Sequence, residues 1–67
     1  MSQKEVYDKF KRIFPQFAEN SKMWFPNGKN SIRIRHKNGN DFIFTYNKET
    51  DWRFETVKAF IKHLKGE

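Results

Sequence analysis

Val6, Phe10, Ile13, Phe14 and Phe17 recur at the three- and four-residue spacing of a helix with one apolar face. Ser2 followed three residues later by Glu5 is a capping box that opens such a helix, and Pro15 disfavours helical backbone at Phe14. A first helix over Gln3–Ile13 is predicted, its solvent side laced by Glu5 with Lys9 and by Asp8 with Arg12. At the other end of the chain, Thr50 or Asp51 is placed to cap a helix whose stripe is Phe54, Val57, Ile61 and Leu64, widened by Phe60 and ended by Gly66. Glu49, Asp51 and Glu55 at its start and Lys62, His63 and Lys65 at its end suit the helix dipole.

Between these segments the period changes to two. Ser31 to Lys37 and Asp41 to Asn47 alternate like strands joined through Lys37-Asn38-Gly39-Asn40. A two-residue turn at Asn38-Gly39 would set Arg33 opposite Phe44 and Arg35 opposite Phe42, mixing cations with aromatics. A three-residue loop with Gly39 in the left-handed conformation instead pairs Ile34 with Phe42 and Ile32 with Phe44, so that one face is wholly apolar. The second register satisfies burial and is the one expected. It leaves Arg33, Arg35, Asp41, Ile43 and Thr45 on the opposite face, with Arg35 across from Asp41. Upstream, Phe25-Pro26-Asn27-Gly28-Lys29 has the proline and glycine of a turn, and Lys22 to Phe25 forms a third strand with Trp24 toward the core and Met23 and Phe25 outward.

The expected architecture is therefore α+β: a single αβββα domain over residues 1–67, with a three-stranded antiparallel sheet and both helices on one face. This order of elements is similar to that of double-stranded RNA-binding domains. The segment Asp51-Trp52-Arg53-Phe54-Glu55, at the start of the last helix, lacks the lysine-rich patch with which that family grips phosphate, so the similarity is one of topology and no family is assigned.

Composition sharpens this picture. Eight Phe, two Trp and two Tyr stand beside a single leucine, so aromatics must carry the core, and the absence of cysteine excludes disulfides, thiol nucleophiles and Cys-based zinc sites. No run approaches the roughly 18 apolar residues of a membrane span. The opening MSQKEVYDKF also lacks the apolar stretch of a signal peptide, so a cytoplasmic protein with no membrane partner is expected. The net charge of +6 favours acidic partners. Most of the excess lies in residues 21–47, which carry five basic side chains and one acidic.

That segment supplies the leading candidate site. Arg33 and Arg35 on one strand, with Lys22, Lys29 and Lys37 at its margins and Phe25 and Met23 alongside, form a face that can hold a nucleic-acid backbone by phosphate contacts and stack unpaired bases. DNA or RNA is the expected partner, bound with little sequence preference. The blander alternative is a solvated sheet face whose long basic side chains discourage edge-to-edge aggregation and whose Arg35 simply pairs with Asp41. Lys58, Lys62 and Lys65 add to the case only if their helix shares the arginine face.

The rival expectation is a protein-interaction or regulatory accessory protein. Its aromatic patch would comprise Phe25, Trp24 and an exposed Trp52, with Arg53 adjacent, on a monomer or weak homodimer. Enzymatic chemistry finds no support. His36 and His63 lie on different elements without an acidic cluster, no catalytic triad or phosphate-cradling glycine loop is present, and no catalytic residue, metal or cofactor is expected.

Overall fold

A computed structural model describes residues 2–64, with side chains through residue 62. Helix α1 spans Gln3–Ile13, and its capping box is formed: the Glu5 backbone N–H donates to Ser2 Oγ at 3.2 Å, and Glu5 Oε1 accepts from the Ser2 backbone N–H at 3.2 Å. Its surface ion pairs differ from those expected. Asp8 pairs with Lys4 at 3.7 Å and with Lys11 at 3.4 Å, while Arg12 reaches Glu49 at 3.8 Å. Phe14, at φ −125°, breaks the helix, and Pro15 opens a second short helix, α2 (Pro15–Glu19), at the position where its missing N–H has no intrahelical partner to lose.

Four strands follow, β1 (Ser21–Gly28), β2 (Ser31–His36), β3 (Asp41–Lys48) and β4 (Asp51–Thr56), and α3 (Val57–Leu64) ends the described chain. The sheet is antiparallel throughout, in the order β1-β2-β3-β4. The expected three-stranded αβββα layout is thus overturned, because residues 51–56 form a fourth strand and not the first turns of the last helix. In that strand Trp52 pairs with Tyr46 and Phe54 with Phe44, continuing the alternation of β3 in a segment rich in strand-favouring side chains. The last helix is capped five or six residues later than expected, by Thr56, whose Oγ1 accepts from the Ala59 N–H at 3.2 Å. Gly66 and Lys65, expected at its end, lie outside the described residues, as do the side chains of His63 and Leu64.

The β2–β3 register is the one selected by burial: Ile34 pairs with Phe42, Ile32 with Phe44 and Arg35 with Asp41. Gly39 has φ 94°, which glycine adopts without the Cβ penalty, and the Gly39 N–H donates to His36 O at 2.9 Å. In β1, Trp24 pairs with Ile34 and Phe25 with Arg33, while the register shifts between Ser21 and Met23, so that Lys22 sits in a bulge.

One face of the sheet carries Trp24, Ile32, Ile34, Phe42, Phe44, Tyr46 and Phe54 against α1 and α2. Phe10 is the centre of this core, with ring centroids of Phe44 at 5.3 Å, Phe54 at 5.4 Å, Phe14 at 5.7 Å and Phe17 at 6.0 Å. Gln3 Nε2 donates to Gly28 O and Lys37 N–H to Asn20 O at 3.0 Å, tying α1 and the end of α2 to opposite ends of the β1–β2 hairpin.

The second face is not open to water along its whole width. Ile43 points away from the α1 core and yet is only 2% exposed. Helix α3 packs against β3 and β4, and Phe60 lines a cleft with Thr45, Arg53 and Glu55, outward residues of those two strands. The expectation that both terminal helices share one face is therefore corrected: α3 lies across the β3–β4 half of the face opposite α1. The physical reason lies in β4. A helix leading directly out of an edge strand folds back over the nearer surface, and that surface offers Ile43 as an apolar residue to cover. Among the described residues no helix is long and apolar enough to cross a membrane.

Candidate functional site

With α3 over β3 and β4, the β1–β2 half of the outer face remains accessible. Its outward residues are Met23 and Phe25 on β1 and Arg33 and Arg35 on β2, with Asp41 at the start of β3 facing the arginines. Met23 is 44% exposed, unusual for a large apolar side chain on a sheet.

Asp41 organises this half. Its Oδ2 accepts from Arg33 Nε at 2.7 Å, and Arg35 donates from Nε to Oδ1 at 3.0 Å and from Nη2 to Oδ2 at 3.3 Å. The carboxylate is 9% exposed, while the two guanidinium side chains are 44% and 39% exposed, so the charges it holds remain within reach of a ligand. Hydrogen bonds from Arg35, with those from Arg33 adding to them, hold the Asp41 carboxyl below the usual carboxylate range against the opposing effect of its burial. The same bonds push the Arg35 guanidinium further toward its charged form. Arg35 also lies over the Phe25 ring, its Cζ 5.2 Å from the centroid. Phe25, Pro26, Asn27, Arg33 and Arg35 line an open cleft of about 310 Å³.

The five expected phosphate ligands are not brought together as a set. Arg33 and Arg35 stand side by side, but Lys29 and Lys37 are in the turns at opposite ends of β2, a strand length of about 17 Å apart. Lys22 occupies the β1 bulge outside the alternation that presents Met23 and Phe25. Exposed Lys58 and Lys62 ride on α3, which lies on the arginine side of the sheet. Their place on α3 was visible in the sequence; the side on which α3 packs was not. The covered half carries Asp51, Arg53 and Glu55 on β4 and so adds no positive excess.

The residues expected to form an aromatic protein-binding patch are dispersed. Trp24 is stacked on Tyr7 with centroids 4.9 Å apart and belongs to the core rim. Phe25 and Trp52 lie on β1 and β4, the two edges of the sheet, about 14 Å apart by strand spacing and on opposite faces. Trp52, expected on a helix, is on a strand and 38% exposed. Its ring meets Phe14 edge-on at 5.2 Å, and Arg53 points to the other side.

A larger cleft, about 580 Å³, opens on the core face where α1 meets α2, lined by Ile13, Phe14, Pro15, Gln16, Phe17, Asn20 and His36. His36 packs on Phe17 with centroids 5.0 Å apart, and its Nδ1 accepts from the Asn38 backbone N–H at 3.2 Å. It is a turn-holding rim residue. Among the described residues no group of three or more His, Cys, Asp or Glu side chains is placed to hold a metal ion. No family model, curated protein or solved structure matches the chain.

Proposed function

We propose that this protein is a non-enzymatic, cytosolic binding module that holds a nucleic-acid backbone on the β1–β2 half of its outer sheet face. The observation that carries this reading is the Arg33–Asp41–Arg35 cluster. One shielded carboxylate fixes two guanidinium groups side by side on an accessible face, and both retain N–H donors for phosphate. The cluster has one net positive charge, and α3 brings Lys58 and Lys62 to the same side. Contacts of this kind recognise phosphate and sugar, so discrimination among sequences is small.

Removing the arginines alone would strand Asp41 without partners at 9% exposure, which confounds binding with stability. The informative variant is therefore Arg33→Gln/Arg35→Gln/Asp41→Asn, which keeps side-chain hydrogen bonding while discarding the charges. Two lost phosphate contacts on a single strand reduce the slope of log affinity against log salt by about 1.4. Fluorescence anisotropy with a labelled oligonucleotide between about 50 and 200 mM salt measures this slope. An unchanged slope and affinity in the folded variant overturn the reading.

A further inference from the structure

We propose that the Arg35 guanidinium is a stacking platform for an unpaired base, so that the partner of the open face is a single-stranded nucleic acid. The inference rests on the phosphate-binding reading and adds the class of strand. Arg35 is fixed in its plane from two directions. Its Nε and Nη2 grip the two oxygens of Asp41 at 3.0 and 3.3 Å, and Phe25 supports it from one side at 5.2 Å. A guanidinium free to rotate loses entropy when a base settles on it; one already clamped by a carboxylate and a ring loses less. Its side chain is still 39% exposed, and the cleft it borders, about 310 Å³, lies at the low end of the roughly 300–1,000 Å³ range of small-ligand sites.

The neighbouring residues fit a strand laid across this platform. Arg33, held by the same carboxylate, supplies a cation for the phosphate beside the stacked base, and Met23 extends the apolar floor along β1. The shape of the face argues against a duplex. Because α3 rises from the β3–β4 half, the open half is the tread of a step. A two-stranded ribbon that reads base edges from the major groove must enter it, and a helix standing beside the ribbon hinders that entry. In a duplex the bases are also already stacked on one another and unavailable to Arg35.

The test uses the full chain and three labelled probes in anisotropy titrations at about 50 mM salt: a 12-nucleotide thymidine strand, the same backbone with its bases removed, and a duplex of equal length. Stacking predicts that the thymidine strand binds about tenfold or more tighter than the abasic strand, within the range measured for base–aromatic stacking. It also predicts that Arg35→Lys, which keeps the charge and loses the plane, narrows this preference to within about twofold, whatever the change in overall affinity. Equal, salt-sensitive binding of thymidine and abasic strands overturns stacking and leaves the phosphate reading standing. Tighter binding of the duplex overturns the single-strand assignment, and no binding of any probe removes both. The comparison of probes on the unmodified protein decides the matter even if Arg35→Lys fails to fold.

Discussion

Phe10→Ala is expected to lower the melting temperature by about 12–40 °C or to abolish the cooperative transition altogether. Phe10 is fully buried and is the ring on which α1, α2, β3 and β4 converge, touching Phe14, Phe17, Phe44 and Phe54. Truncating a buried phenylalanine typically costs about 3–5 kcal/mol, since the neighbours collapse only partly into the space left. At about 0.05–0.15 kcal/mol per residue, a chain of this length has a total stability of only about 3–10 kcal/mol. For domains of this size each kcal/mol lost shifts the midpoint by about 4–8 °C, which sets the expected range. Circular dichroism melts measure it directly. A fall of less than about 5 °C would show that the aromatic cluster does not hold the helices to the sheet.

The second large effect is expected at Ile43. Had the outer face been open throughout, as the sequence pattern suggests, Ile43→Lys would be a surface change of about 0.5 kcal/mol at most. With α3 covering the β3–β4 half and Ile43 only 2% exposed, the substitution instead removes a buried aliphatic side chain and places an ammonium in its site. The aliphatic loss alone is worth about 2–5 kcal/mol, and the desolvated charge adds to it. Met23→Lys is the matched control, because Met23 points to the same side on the open half and is 44% exposed. Urea unfolding should therefore show a large drop in midpoint for Ile43→Lys and almost none for Met23→Lys. Similar midpoints for the two variants would place α3 elsewhere.

The first helix and the central hairpin were legible because several local signals agree there. Ser2, Glu5 and Pro15 mark both ends of α1, and only one register of the Lys37-Asn38-Gly39 loop puts Ile32, Ile34, Phe42 and Phe44 on one face. Residues 51–56 were ambiguous in a way that local pattern does not resolve. Phe54 fits both the helical stripe of Val57 and Ile61 and the strand alternation of Trp52 and Thr56, and the acidic residues at 49, 51 and 55 look like the charged start of a helix. What decides the matter is non-local: as a strand, the segment pairs along β3 and stacks Phe54 against Phe10, Phe14, Phe17 and Phe42.

Once β4 exists, the position of α3 changes with it, and so does the candidate site. The arginine pair and its carboxylate were visible from the register alone. The side of the sheet to which α3 carries Lys58 and Lys62, the separation of Phe25 from Trp52 and the division of the outer face into covered and open halves all depend on that one strand.

The most direct test of the functional account is an amide and methyl chemical-shift titration of labelled protein with a short single-stranded oligonucleotide at about 50 and 200 mM salt. The account predicts that shifts concentrate at Met23, Phe25, Arg33 and Arg35, extend to the Lys58–Lys62 side of α3, and shrink strongly at the higher salt. Shifts centred on Trp52 and Phe14, or no shifts at either salt concentration, would contradict it.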